Sequence, residues 1–350
     1  MNKKTWLSIG LFLAVLFTGV HVASAHEVYV LNQSTVAYDV THPSPDPLVL
    51  VTDSGTRTLF MFCALVGVIL VTGIFLISVS RRIENAIDPM LMKLKRFAPI
   101  IARLTFGLSL LAAAYYKALF GPEIPLTALV GHYAGLLQIV LYILGILILL
   151  GLFVRESAFA ALVIFIIAAV VYKTYMLTYM NYVGEIVANM ILGGGLWSLD
   201  RYLNKARVAN NFSVLKHKLE PYAMPALRVL FGLSAIYASW YAKLFHASLA
   251  LDTVKDYHLT NYFHFPALFV VLGALIIETL IGVFFVLGIE IRFTALFFLL
   301  FLTLSLSFFG EVVWPHIILI GVNLAFIFHG YDRYSLEGRF FKKGRREPVL

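Results

Sequence analysis

The chain has 350 residues, 61% of them hydrophobic and 13% charged, with a mean hydropathy of +0.88. A soluble globular chain carries roughly 45–50% apolar and about 25% charged residues, so the composition excludes one and indicates an integral membrane protein. The formal charge of +8 does not point to nucleic acid, because the 27 Lys and Arg cluster in a pattern that reports topology.

The N-terminus reads Lys3-Lys4, an apolar core from Trp6 to Val20, and Val22-Ala23-Ser24-Ala25. A charged n-region, a short h-region and small residues at the cleavage position predict a signal peptide over 1–25, with His26 as the mature start. Residues 26–56 form a polar outer-face segment in which Pro43, Pro45 and Pro47 oppose a long helix.

Nine apolar stretches of spanning or near-spanning length follow, at 58–80, 98–120, 131–154, 157–180, 184–200, 224–245, 266–289, 293–309 and 312–330. The segments between them carry an uneven load. Eighteen Lys and Arg fall on one side, from Arg81 to Arg346, and only Arg57 and Lys255 on the other. The positive-inside rule then puts the N-terminus outside and the C-terminus in the cytoplasm of a multi-pass cell-membrane protein. The basic side also suits anionic lipid headgroups.

The chain repeats itself. At an offset of 125, Arg103-Leu104-Thr105-Phe106-Gly107-Leu108-Ser109 lies over Arg228-Val229-Leu230-Phe231-Gly232-Leu233-Ser234. Leu150-Gly151-Leu152-Phe153-Val154-Arg155 then matches Leu287-Gly288-Ile289-Glu290-Ile291-Arg292, Gly184-Glu185 meets Gly310-Glu311, and Asp200-Arg201 meets Asp332-Arg333 after a gap. Two copies of a four-helix unit are expected, both the same way up because each has an even number of spans. The fold class is therefore all-α: a polytopic membrane protein of two parallel four-helix bundles plus one extra N-terminal transmembrane helix. By residue number, 57–97 supplies that helix and a cytoplasmic linker, 98–202 the first repeat, 203–222 a second linker, 223–337 the second repeat and 338–350 a basic tail.

The landmarks Arg103, Gly107 and Lys117, their counterparts Arg228, Gly232 and Lys243, then Glu278, Leu287-Gly288, Arg292 and Gly330-Tyr331-Asp332-Arg333-Tyr334-Ser335-Leu336 resemble the DoxX family of small four-helix membrane proteins. That family includes the DoxD-type subunit of thiosulfate:quinone oxidoreductase. The resemblance covers about 98–202 and 223–337 and implies a membrane component of a quinone-linked respiratory or sulfur-oxidising system. The copies differ in two places: Lys117 and Lys243 miss the common offset by one residue, and Glu278 has Leu141 as its counterpart.

Chemistry concentrates at a few positions. Glu278 sits near the middle of the seventh stretch, where a carboxyl costs roughly 2.5–3.5 kcal/mol to insert and is expected to face the bundle interior and find a partner. Its plain alternative is a helix tie. Nearer the outer surface, Lys173 with Lys117, Tyr116, Gln138 and Glu185, echoed by Lys243 and Glu311, form candidate contacts for a quinone headgroup. Glu278 and Lys173 are the candidate catalytic groups. Lysines and tyrosines at helix ends also anchor to the interface in any membrane protein. Arg103 with Asp200, and Arg228 with Asp332, are read as structural ion pairs.

Histidines gather on the outer side. The amine and imidazole of a mature His26, with His42, are a candidate copper or zinc site. With one cysteine, Cys63, the chain has no intramolecular disulfide or cysteine-ligated cluster; in the redox system that the resemblance implies, electrons would pass through a bound quinone and a protein partner that carries the redox centre. Two other functions stay open: a small-molecule or metal-ion transporter using Glu278 and the outer histidines, and a non-catalytic scaffold subunit.

Overall fold

The computed structural model describes residues 31–52, 66, 73, 90–91, 93–203, 206–309 and 314–341. The expected signal peptide, His26, nearly all of the stretch 58–80, Glu311 and the end of the basic tail lie outside the described residues. Those described form helices and no strand.

A short helix α1, Gln33–Thr41, precedes the bundles. The first unit contains α2 (Ala98–Tyr116), a connecting α3 (Leu126–Val130), α4 (Ala134–Leu150), α5 (Val154–Tyr172) and α6 (Met180–Leu192). Helix α7 (Ala206–Trp240) leads into the second unit and ends in a π-helical turn, Tyr241–Phe245. Two short helices, α8 (Ala247–Asp256) and α9 (Leu259–Phe263), join it to α10 (Ala267–Leu287), α11 (Ile291–Phe309) and α12 (Ile317–His329).

Among the described residues, six continuous stretches are long and apolar enough to cross a membrane, and Trp314–His329 is a shorter apolar helix. Their outward faces are apolar too. On α4, Leu136, Ile139, Ile143, Ile146 and Leu150 are exposed at helical spacing while Leu141, Leu144 and Ile148 are buried. Lipid is the solvent for such a face. The protein is a multi-pass, all-α membrane protein.

The stretches expected at 157–180 and 184–200 are placed differently. Helix α5 ends at Tyr172, Lys173 takes φ 51°, and the 3-10 segment Lys173–Tyr179 turns the chain before α6 starts at Met180. Apolarity runs through this turn without a break, so hydropathy alone misplaces it.

Within each unit the first helix packs on the second and the third on the fourth, and the fourth helix of each unit packs on the first of the other: α6 on α7 and α12 on α2. Glycines set the crossings. A Cβ on Gly107 of α2 would lie 3.0 Å from the carbonyl oxygen of Gly145 on α4, and one on Gly232 of α7 would lie 2.6 Å from that of Gly282 on α10. Both helix pairs thus meet backbone to backbone, the close approach that small residues permit in membranes.

The basic end repeats as well, with one correction to the sequence alignment. Gly151 and Gly288 end α4 and α10 with φ 69° and 67°. The Asp200 N–H donates to the Gly151 carbonyl at 3.1 Å and the Glu337 N–H to that of Gly288 at 3.0 Å. The Asp200 carboxylate accepts from the Phe153 N–H at 3.2 Å and the Glu337 carboxylate from Ile291 at 3.0 Å. The counterpart of Ser198-Leu199-Asp200 is therefore Ser335-Leu336-Glu337, at the same offset of 137 that relates Gly151 to Gly288, and no gap is needed. By that offset Gly184 answers to Gly321, not to Gly310, and Glu185 to Val322. Each glycine faces the first helix of the other unit, Gly184 at Leu227 and Gly321 at Thr105.

The two expected arginine pairs part company. Arg228 donates from Nε to Asp332 Oδ2 at 3.0 Å and from Nη1 to the carbonyls of Phe285 and, at 2.9 Å, Val286. Arg103 instead spends its guanidinium on the carbonyls of Gly194 and, at 3.0 Å, Trp197, because the glycine-rich 193–195 turn brings them over it.

The glycine crossings give the first test. Gly282→Ala forces a methyl to within 2.5 Å of Ile236 Cγ1 and should destabilise by about 1–3 kcal/mol, as overpacking does. Gly135→Ala on α4 meets nothing within 4 Å and should be neutral or slightly stabilising. Unfolding in mixed micelles compares the two.

Candidate functional site

The second unit is hollow where the first is filled. In the first, Leu141 of α4 is 0% exposed, and the rings of Phe120, Phe165 and Tyr182 close over the bundle with centroids 4.2 Å (Phe120 to Tyr182) and 5.6 Å (Phe120 to Phe165) apart. In the second, a cavity of about 750 Å³ runs from Phe231 and Phe298 at mid-helix to Tyr262, Phe309 and His316 at the end opposite the arginines. Its walls come from α7, α8, α9, α10 and α11, and from Tyr175 to Tyr182 of the first unit.

Glu278 of α10 lines this cavity, and its partner is Lys243: Nζ and Oε2 lie 3.0 Å apart, with the side chains 6% (Lys243) and 19% (Glu278) exposed. The sequence placed these two groups separately, and the π-helical turn joins them. That turn holds one more residue than an α-helical turn, which is why Lys243 falls one position off the repeat. Lys243 is carried inward, whereas Lys117 ends α2 with φ 55° and is exposed. A buried ion pair in an apolar wall is strongly coupled, because each charge loses its water and has the other in its place. One ammonium has three donors, so Lys243 can hold more than Glu278 alone.

The cavity's other polar groups come from both units, Ser234, Tyr241, Ser305 and His316 from the second and Tyr175 and Asn181 from the first among them. Ser234 Oγ donates to the Thr178 carbonyl at 2.5 Å and lies 3.1 Å from Asn181 Oδ1. The rings of Tyr175 and Tyr241 meet edge to face at 5.0 Å. Behind them stands Glu123, whose Oε1 accepts the hydroxyls of Tyr175, at 3.1 Å, and of Tyr179. Glu123, Asn181, Tyr179 and Tyr182 were not singled out in the sequence. The tyrosine spacing gave no helical signal, because Tyr172 ends α5, Tyr175 and Tyr179 lie in the 3-10 turn and Tyr182 is on α6.

Among the described residues, the other candidates disperse. Lys173 is exposed at the end of α5, and Tyr116 stacks on Trp314 at 5.3 Å outside the cavity. Gln138 Nε2 donates to the Ala114 carbonyl at 2.9 Å and ties α4 to α2. Glu185 is fully buried within α6, with Asn189 Nδ2 donating to its Oε2 at 3.5 Å. His42 is engaged locally, stacked on Tyr38 with its Nδ1 2.8 Å from the Tyr38 carbonyl. No set of three metal-ligating side chains gathers among the described residues.

Outside the spans, residues 31–52 dock on α8. Ser44 Oγ accepts from the Ser248 N–H at 2.7 Å, and burial, with Asp252 nearby, holds the Asp39 carboxyl above its ordinary range. Helix α8 in turn supplies Ala250, Thr253 and Val254 to the cavity.

Comparison of the chain with protein-family models, curated proteins and solved structures finds no match. The site is therefore read from its own geometry.

The ion pair gives the second test. Removing one partner strands the other charge, so Lys243→Met or Glu278→Leu should each cost about 2–3 kcal/mol, below the usual range for a fully buried pair because Glu278 borders the cavity. The double variant should recover to within about 1 kcal/mol of wild type. Unfolding of all four proteins in the same micelles measures the coupling.

Proposed function

We propose that the cavity binds a membrane quinone and that the chain is the quinone-binding membrane component of a redox system, as its DoxX-like landmarks suggest. The observation that carries this reading is the Lys243/Glu278 pair on the wall of an otherwise apolar cavity. Exposed lining residues on the α9 and α11 side, Tyr262, Leu304 and Phe308, border lipid, so an apolar tail can lie there while the headgroup meets the pair. Lys243 supplies a donor to a quinone oxygen, and Glu278 a group that exchanges protons with it. A protein partner with its own redox centre supplies or removes the electrons.

The topology belongs to the same proposal: a cleaved N-terminus outside, the cavity toward the outer leaflet and the arginine-rich end in the cytoplasm of the cell membrane. A C-terminal alkaline phosphatase fusion should be inactive and a C-terminal fluorescent-protein fusion bright. The opposite pair of results would reverse the orientation.

Solvent extraction of protein purified in native lipid tests the ligand. Wild type should yield near-stoichiometric quinone, and Glu278→Gln and Lys243→Met should each lose most of it while keeping their elution volume. Leu141→Glu should not restore quinone to Glu278→Gln, because the first bundle is filled at that level. Quinone at background in wild type would remove the proposal.

A further inference from the structure

Helix α6 carries a line of polar side chains through the interior of the molecule. Asn181, Glu185 and Asn189 recur every four residues, share one face of the helix and are all buried. At the offset of 137 that relates the two units, the same positions of α12 are Ile318, Val322 and Phe326, also buried. The duplicated fold therefore packs this face with apolar side chains, and the polar face costs α6 a desolvation that the architecture does not demand. Nor does the acid tie two helices together. Glu185 Oε2 meets Asn189 Nδ2 at 3.5 Å, one turn along its own helix, and Oε1 has no hydrogen-bond partner among the described residues. No cation pairs with it there either. An isolated buried carboxylate is far more costly than the neutral acid, so Glu185 carries a proton at rest.

The line has two ends. Asn181 lines the cavity, its Oδ1 3.1 Å from Ser234 Oγ. Asn189 lies toward the arginine-rich end, where its carbonyl accepts from the Gly193 N–H at 2.8 Å and a Cβ on Gly193 would lie 3.2 Å from Arg155 Nε. We infer that Glu185 is the proton-carrying group of a relay along α6, which connects the cavity to the arginine-rich end of the protein. Residues four apart on a helix have Cβ atoms about 5–6 Å apart, a step that one bridging water covers. The amides orient such a water, and the carboxyl is the member that gains and loses a proton. Reduction of a quinone to a hydroquinone takes two electrons and two protons. The partner's redox centre supplies the electrons, the Lys243/Glu278 pair delivers one proton, and Glu185 delivers the other past Asn181 and regains its own past Asn189. Oxidation runs the same steps backwards.

The redox step rests on the quinone reading; the relay itself does not. Infrared difference spectroscopy of the full chain in native lipid reads the carboxyl directly and separates the two. Wild type should show a carboxylic-acid C=O band that Glu185→Gln removes while keeping its quinone content. When the bound quinone is reduced and reoxidised at an electrode, the band should change with it, and in Asn181→Leu it should be present but indifferent to the redox state. In heavy water the band should shift within minutes in wild type and take hours when Asn181→Leu and Asn189→Leu are combined, because both ways out are then closed. Leucine is close in size to asparagine and α12 is apolar at these positions, so the variants should fold. A missing band, a wild-type band that ignores the redox state of bound quinone, or deuterium exchange no faster in wild type than in the double variant would overturn the relay and leave the quinone site standing. Protein that carries no quinone would remove the quinone reading, and the deuterium exchange alone then upholds or overturns the relay.

Discussion

A charge inside a bilayer must be given a partner by the protein, and much of this molecule is arranged around that requirement. The carboxylate of Glu278 and the ammonium of Lys243 are each expensive in hydrocarbon and together tolerable. Bringing them to 3.0 Å takes a π-helical turn at the end of α7, which swings Lys243 inward at the point where the equivalent helix of the first unit simply stops. π-Helical turns of this kind are frequent at functional sites. Here its effect is local and specific: it converts a lysine that would otherwise reach the interface into a wall of the cavity.

The two units then divide the labour. Both have glycine crossings between first and second helices, left-handed glycines closing the second helix, and an Asp or Glu capping the third. The shared features are those that hold helices together, and they lie at the crossings and the basic end. Apart from the different partners of Arg103 and Arg228 and the polar face of α6, the differences lie at the opposite end, where Leu141 answers to Glu278 and an aromatic cluster fills the first bundle. The filled unit is not idle, since its 175–182 segment forms one wall of its neighbour's cavity. A duplicated unit has thus become a scaffold for its twin.

Much of this was legible in the sequence, for physical reasons. Composition and span length fix the solvent, and helices are the only open-ended backbone that solvent allows. Glu278 stood out because an acid in an apolar run has no bland surface explanation. Its partner was harder, because the π turn moves Lys243 by one residue and sequence offsets count residues rather than turns. The turn at Lys173–Tyr179 was hidden by unbroken apolarity. Glu123, in the loop Gly121-Pro122-Glu123-Ile124-Pro125, looked like any surface acid, since its role comes from two tyrosines more than fifty residues away in sequence.

Photoaffinity labelling with an azidoquinone, followed by peptide mapping, tests most directly whether the cavity of the second unit is where a quinone sits. The label should fall on α9, α10 and α11, within 259–309, should be displaced by unlabelled quinone, and should vanish in Glu278→Gln. Competable label confined to the first bundle, within 134–172, or label unchanged by Glu278→Gln, would contradict it.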